Sequence, residues 1–147
     1  MNHVIPHFTI KKMVNSLLLL LFVLLIASCS RKVSFTTSTV VPAAEGKVKV
    51  KKDKNDNYAV DVDVKHLAEP SRLPQPKALY VVWIETERNG VQNLGQLNTS
   101  SGLLSSTMKA SMEAVTPYKP TRLFITGETV ANVQYPGGYI VLDTSVF

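Results

Sequence analysis

Apolar and charged side chains alternate in KVKVK at residues 47–51 and again in YAVDVDVK at residues 58–65. A period of two with β-branched residues indicates two strands, each with one buried face. The polar break between them favours a hairpin turn. Antiparallel pairing would place the exposed lysines opposite Asp61 and Asp63. Each such pair of opposite charges stabilises a sheet by about 0.2 to 1 kcal/mol. We therefore interpret the lysine run as the solvated face of a hairpin, with a dedicated anion or membrane patch as the alternative.

The next strong strand signal is ALYVVWI at residues 78–84, which follows a proline-rich connection and is apolar on both faces. Such a strand belongs in the middle of a fold. We expect Trp83 to be the core aromatic residue, because a single tryptophan inside an apolar strand is more often buried than used to stack a ligand. Asn89-Gly90 predicts a tight turn, after which residues 91–97 return as the partner strand.

Later turn and strand signals complete the fold prediction. Gly95 suggests a bulge or a close backbone approach in the returning strand, and residues 98–102 suggest another turn. Residues 103–112 predict a less regular strand pair or a strand plus a loop. Further strands are predicted at residues 121–126 and, after a Pro-Gly-Gly turn, at residues 139–142. Without a sustained helical period after residue 29, these signals predict an all-β fold. We expect a single Ig-like antiparallel β-sandwich of seven to eight strands over residues 46–147.

The amino-terminal region has the order of a secretory signal peptide. A basic start at Lys11 and Lys12 precedes an apolar core at residues 17–26 and two small residues. This order predicts that residues 1–28 are removed. The ending Ile26-Ala27-Ser28-Cys29 resembles the lipobox of bacterial lipoproteins. That resemblance implies cleavage between Ser28 and Cys29, attachment of lipid to the Cys29 thiol, and acylation of the new amino terminus by a fatty acid such as palmitate.

A single membrane-spanning helix is the alternative for this region. The uncharged stretch at residues 13–30 counts 18 residues, near the lower limit of about 17 to 25 for a spanning helix. Its strongly apolar part covers only residues 17–26, which is typical of a signal-peptide core. We therefore expect the membrane lipid to be reached through Cys29.

The part expected to remain after cleavage, residues 29–147, is long enough for one domain with a modest core. It keeps 14 of the 16 basic residues and all 11 acidic residues, so its formal charge is +3. Residues 29–45 are interpreted as the lipidated amino terminus and a tether, with an edge strand around residues 33–41. No aromatic residues are interleaved with the lysines, and an exported chain meets little nucleic acid, so no nucleic-acid partner is expected.

Two groups of residues resemble the extracytoplasmic domain of anti-sigma-K-type regulators. The first is YVVWI at residues 80–84 with the Asn-Gly turn and VQNLGQL at residues 91–97, and the second is FITGE at residues 124–128 with Pro136-Gly137-Gly138. The resemblance covers residues 46–143 and implies the fold of that domain. In that family a separate cytoplasmic domain holds the sigma factor. Only 28 residues precede the predicted lipid site, so direct sigma-factor binding is not expected.

Polar side chains of the predicted domain are interpreted as structural, and no catalytic, cofactor-binding or metal-ligating residue is predicted. His66 has no Gly-x-Ser-x-Gly elbow to accompany it, so a hydrolase using His66 is only a weaker alternative. Asp53, Asn55 and Asn57 have the first spacings of an EF-hand loop, but tyrosine and valine stand where glycine and glutamate are required. We interpret them as a polar turn. The other acidic candidates are expected to face solvent or cross-strand partners: Asp61, Asp63, Glu85 and Glu87.

These observations predict a lipid-anchored envelope protein that acts as a non-catalytic binding or structural module, without a cofactor, toward an envelope protein or a glycan. The alternative is an accessory or sensory component of an anti-sigma-type envelope system that acts through a membrane partner. Ser30, rather than aspartate, follows the cysteine, which resembles outer-membrane sorting. We expect the periplasmic face of the outer membrane, or the outer face of the cell membrane in an organism with a single membrane.

Overall fold

The computed structural model describes residues 12, 15–16, 30–101 and 108–147. From residue 30 onward the described chain consists of strands joined by turns and loops, with one 3-10 turn at Pro70–Arg72. The strands in chain order are β1 Ser30–Ser34, β2 Glu45–Lys52, β3 Tyr58–Leu67, β4 Leu79–Thr86, β5 Gly90–Gln96, β6 Asn98–Ser101, β7 Met108–Thr116, β8 Pro120–Glu128 and β9 Ile140–Asp143.

These strands form two antiparallel sheets. One has the order β1-β2-β3-β7-β6 and the other has the order β5-β4-β8-β9. Apart from β1, these are the A-B-E-D and C′-C-F-G orders of an immunoglobulin-type sandwich. The predicted all-β, Ig-like antiparallel sandwich is confirmed, with nine strands in the described residues where seven to eight were expected.

The edge strands of the five-stranded sheet, β1 and β6, differ from the sequence prediction. β6 occupies residues that were predicted to form a turn, and its polar sequence NTSS pairs with β7. β1 begins earlier than the edge strand predicted around residues 33–41, and it pairs along β2 from Ser30 opposite Lys51 to Ser34 opposite Lys47. Edge pairing through the backbone requires no apolar alternation, so the side-chain pattern carries little signal for it.

Residues 29–45 were predicted to form a tether, but the described part of this segment, from Ser30 onward, is folded onto the sandwich. After β1 the chain crosses to the other sheet, where the backbone N–H of Thr36 donates to the carbonyl of Asp143 at 2.8 Å. The hydroxyl of Ser38 then donates to the carbonyl of Val141. These bonds lay the segment along the edge strand β9. The folded domain therefore includes β1 and does not start at residue 46.

The β2–β3 hairpin has the predicted register. Lys47 lies opposite Asp63 and Lys49 lies opposite Asp61, with Lys49 Nζ 3.6 Å from Asp61 Oδ2. Exposed pairs of this kind contribute about 0 to 1 kcal/mol each. The opposite face of the hairpin packs into the core between the sheets through its valines, Val48, Val50, Val60, Val62 and Val64.

Strand β4 buries both of its faces, as predicted, but Trp83 does not lie in the core between the sheets. That core takes the even-numbered side chains, Tyr80, Val82 and Ile84. Because successive side chains of a strand point to opposite faces, Trp83 lies on the outer face of the four-stranded sheet with Val81 and Phe124. It is nevertheless fully buried. The prediction of a buried Trp83 is confirmed, and its assignment to the sandwich core is wrong.

The two ends of the sandwich carry different elements. The hairpin end, as we call it, comprises residues 30–32, 51–58, 86–90, 117–121 and 145–147, and it holds the β2–β3 turn, the β4–β5 turn and the start of β1. Phe147 reaches this end because its N–H donates to the carbonyl of Thr121. The loop end holds the β3–β4 loop at residues 68–78 and the β8–β9 loop at residues 129–139.

An ion pair between neighbouring strands makes the fold sensitive to acid. Burial acts to raise the pKa of the Asp143 carboxyl, but hydrogen bonds from Thr36 and Arg122 and the Arg122 charge outweigh it, so this pKa lies below its usual value of 3.8. A carboxyl whose pKa is lower in the folded state stabilises the fold above its unfolded pKa, and this contribution is lost as the pH falls below 3.8 toward the folded value.

Asp143→Asn is therefore expected to make the free energy of unfolding depend less on pH in the acid range. At neutral pH we expect a loss of less than about 1 kcal/mol, because the pair is partly exposed. Urea unfolding at a series of pH values below 5 measures the slope. Asp63→Asn is the matched control, since Asp63 also faces a cation across a strand pair but is exposed. Equal slopes for the two variants would contradict the assignment.

Candidate functional site

The β3–β4 and β8–β9 loops contact each other at the loop end. The backbone N–H of Gln75 donates to the Tyr139 hydroxyl oxygen at 3.3 Å, and the hydroxyl lies 3.4 Å from the Gln75 carbonyl. Below them the buried Tyr80 donates its hydroxyl to the carbonyl of Ala68 at 2.9 Å. These loops occupy the B–C and F–G positions of the immunoglobulin fold, whose variable domains place binding loops there. The loop end is therefore the candidate interaction site.

A buried carboxylate fixes the base of the β8–β9 loop. Glu128 is 3% exposed. Its Oε1 accepts hydrogen bonds from the Thr126 hydroxyl at 2.6 Å and from the N–H groups of Gly137 at 3.1 Å and Gly138 at 3.3 Å. Burial of a charge is costly unless hydrogen bonds satisfy it, and here two backbone amides and a hydroxyl do so. The Pro-Gly-Gly turn is thereby attached to the last residue of β8.

Trp83 belongs to the same network. Its indole Nε1 donates to Thr126 Oγ1 at 2.8 Å, so Thr126 connects the indole to the carboxylate. The indole stacks on Phe124 with ring centroids 6.3 Å apart and planes inclined by 12°. Val133 of the loop packs against this cluster. The loop thus folds back over the outer face of the sheet and covers the tryptophan.

The middle of the loop is held by Asn93 of β5. The Asn93 Nδ2 group donates to the carbonyls of Ala131 at 3.0 Å and Val133 at 2.8 Å, and its Oδ1 accepts from the N–H of Gly95 at 2.8 Å. Gly95 has a φ of 121° at the predicted bulge, where the β4–β5 register shifts. Glycine adopts this φ without a Cβ clash. The bulge and Asn93 together support the loop from the neighbouring strand.

The outer surface of the loop presents large apolar side chains to solvent. Val130 is 50% exposed and Tyr135 is 74% exposed, although Asn93 of β5 holds the carbonyls of Ala131 and Val133 between them. A tyrosine on a well-supported loop supplies contact area at a low cost in conformational entropy. Surface loops positioned by a rigid scaffold are common recognition elements. The arrangement is suited to binding another molecule.

Gly138→Ala is expected to displace the loop from Glu128. A Cβ at Gly138 would lie 2.3 Å from the carbonyl oxygen of Gly127, and a backbone atom cannot be relieved by a rotamer change. We expect the free energy of unfolding to fall by about 1 to 3 kcal/mol. Gly137→Ala is the matched control, because its Cβ would meet only the Glu128 carboxylate, at 3.3 Å. Urea unfolding compares the two, and equal midpoints would contradict the close approach.

His66, the residue of the hydrolase alternative, lies in the bulge near the end of β3. It has a φ of 55°, and its Nδ1 is 3.5 Å from Glu45 Oε1. Within the part of the chain that the structure describes, no serine hydroxyl lies within hydrogen-bond distance of His66. The geometry therefore gives His66 a contact with an acid but no nucleophile.

The group Asp53, Asn55 and Asn57 forms the β2–β3 turn, as predicted. Asp53 Oδ1 accepts from the N–H of Asn55 at 2.7 Å and of Asn57 at 2.9 Å, and the Asp53 N–H donates to the Asn57 carbonyl at 2.8 Å. The carboxylate is thus engaged by the backbone of its own turn. Across residues 30–101 and 108–147, no three His, Cys, Asp or Glu side chains are grouped to hold a metal ion.

The remaining acidic candidates also face cations. Glu87 Oε1 lies 2.6 Å from Lys119 Nζ, and Glu85 Oε2 lies 3.6 Å from a guanidinium nitrogen of Arg122. The Glu87 pair is exposed, and the hydrogen bond from Lys119 lowers the pKa of Glu87. These contacts explain both glutamates as cross-strand or inter-loop partners.

The predicted lipidation residue Cys29 and cleavage residue Ser28 lie outside the described residues. The described chain resumes at Ser30, the first residue of β1. Among the described residues, no helix combines the length and the apolar character needed to cross a membrane.

Comparisons of this chain with protein families, curated proteins and solved structures find no match. Sequence reasoning had noted Glu128 and the Pro-Gly-Gly turn only as part of a resemblance, and it missed the contact between them. The available signal was an acidic residue at the end of an apolar strand, followed by a turn with two adjacent glycine N–H groups.

Proposed function

We propose that this protein is a lipid-anchored component of the bacterial cell envelope, held by Cys29, that acts as a non-catalytic binding module. Its partner is an envelope protein or a glycan, and the contact is made by the β8–β9 loop. The order of basic, apolar and small residues before the single cysteine supports the anchor. The residue after the cysteine is serine, which supports the periplasmic face of the outer membrane as the location.

The observation that carries the binding role is the exposed Tyr135 on a loop fixed from below. Glu128, Trp83 and Asn93 hold that loop by hydrogen bonds and packing that leave Tyr135 free in solvent. Asp53 is hydrogen-bonded within its own turn, and Asp61, Glu85 and Glu87 form ion pairs within the domain, which supports a binding role over a catalytic one. If hydrolysis is ever detected, activity that His66→Ala leaves undiminished excludes the hydrolase alternative.

Photocrosslinking in intact cells tests the binding role. A benzophenone amino acid is placed at Tyr135 and, as the control, at Val115, which is 67% exposed on the five-stranded sheet. We expect a crosslinked species from position 135 that is absent from position 115. No species from position 135, or the same species from both positions, would contradict the proposal.

The identity of the crosslinked species separates the binding module from the regulatory alternative. Recovery of a wall or surface component supports the binding module as stated. Recovery of a membrane-embedded regulator supports the alternative in which the domain is an accessory or sensory part of an anti-sigma-type system. The residues that favour this alternative lie in β4 and β5, in the second half of β8 at residues 124–128, and at residues 136–138 of the loop that the crosslinker probes.

A further inference from the structure

The geometry points to the hairpin end as a docking surface for anionic lipid headgroups, so that the sandwich stands on the membrane with its loop end directed away. This inference rests on the proposed anchor at Cys29. It adds an orientation and a second contact with the membrane, made by side chains of the folded domain.

The predicted lipid site directly precedes the first residue of the sandwich in the sequence. Ser30 is already paired with Lys51 in the five-stranded sheet, and adjacent Cα atoms are about 3.8 Å apart. A lipid on Cys29 would therefore hold the first residue of β1 at the membrane surface. Because the β2–β3 turn lies beside that residue, the whole hairpin end is brought to the headgroups.

Positive charge is distributed unevenly over the domain. The hairpin end carries seven basic side chains against three acidic ones. The rest of residues 33–101 and 108–147 carries seven basic against eight acidic side chains. The excess positive charge of the domain is thus confined to the end that the anchor would place on the membrane. Basic residues beside an anionic lipid surface are attracted to it over about one Debye length.

Several basic side chains of the hairpin end are not neutralised by an ion pair within the domain. Lys52 pairs with Asp56 and Lys119 pairs with Glu87, each at 2.6 Å. Among the described residues, the remaining basic side chains of this end that have no ion-pair or aromatic contact are Lys32, Lys51, Lys54 and Arg88. All four are exposed. Val146, 76% exposed at the same end, adds an apolar side chain that can enter the interfacial region.

Lysine footprinting of the full protein purified from cell membranes tests this surface. The protein is reconstituted into vesicles that are either purely zwitterionic or contain about one third anionic lipid, and its lysines are acetylated briefly and located by mass spectrometry. We expect acetylation of Lys51 and Lys54 to be slowed about fivefold or more in anionic vesicles. Lys65 and Lys109, near the loop end, should be labelled equally in both. Added salt should remove the difference.

Charge reversal gives the matched variants. Lys51→Glu with Lys54→Glu should abolish the protection of Lys32 in anionic vesicles, whereas Lys65→Glu with Lys109→Glu should leave it intact. Equal labelling of the two ends in anionic vesicles, with a lipid mass present on Cys29, would overturn this inference and leave the proposed function standing. A chain that carries no lipid mass would overturn the proposed function, and the inference with it.

Discussion

Trp83→Ala is expected to lower the free energy of unfolding by about 3 to 5 kcal/mol. The indole is fully buried, stacks on Phe124 and donates its N–H to Thr126. Its removal leaves a cavity in the cluster against which Val133 of the β8–β9 loop packs, and it removes the indole hydrogen bond to Thr126. Domains of this size have a total stability of about 5 to 15 kcal/mol, so the loss is a large fraction of the whole. Urea unfolding followed by circular dichroism measures it.

Trp83→Phe is the control for this prediction. Phenylalanine keeps an apolar ring against Phe124 but removes the indole N–H, so we expect less than about half of the loss seen with alanine. A change of less than about 1 kcal/mol for Trp83→Ala would contradict the burial of Trp83 beneath the loop. If the alanine variant does not fold, thermal unfolding of the phenylalanine variant still tests the hydrogen bond to Thr126.

Cys29→Ser is expected to abolish fatty-acid labelling of the protein. The hydroxyl is a much weaker nucleophile than a thiolate, so lipid transfer to residue 29 should stop. Because lipidation precedes cleavage in proteins with a lipobox, the chain should accumulate with residues 1–28 attached, at the full 16.2 kDa. Growth with labelled palmitate, followed by gel electrophoresis, measures both effects.

Ser28→Ala is the matched control for the cysteine variant. Alanine is also small, so cleavage and labelling should persist. Palmitate incorporation into the Cys29→Ser protein, or its normal processing, would contradict lipidation at this residue. Neither substitution touches the described sandwich, which starts with β1 at Ser30.

The strands that sequence reasoning predicted well are those whose side chains alternate. The valines of β2 and β3 and the apolar residues of β4 are buried as the pattern indicates, since a period of two directly reports one or two dry faces. The opposition of Lys49 and Asp61 follows from the same register. The predictions for turn residues also agree with the structure. Gly90 and Gly95 adopt the positive φ values that turns and bulges require.

The features that could not be predicted depend on contacts distant in sequence. β1 and β6 are polar edge strands held by backbone pairing. Trp83 is buried on the outer face, where Val133 of the β8–β9 loop and Leu79 of β4 pack against its cluster. The pairing of Glu128 with Gly137 and Gly138 depends on the path of that loop. No local pattern encodes such a path, so the candidate site emerged only in three dimensions.

We propose that a lipid on Cys29 holds this sandwich in the envelope. Mass spectrometry of the intact protein extracted from membranes tests it most directly. We predict a chain that begins at Cys29 and carries the added mass of its acyl chains. A chain that begins at Met1, or one with an unmodified Cys29, would contradict the account.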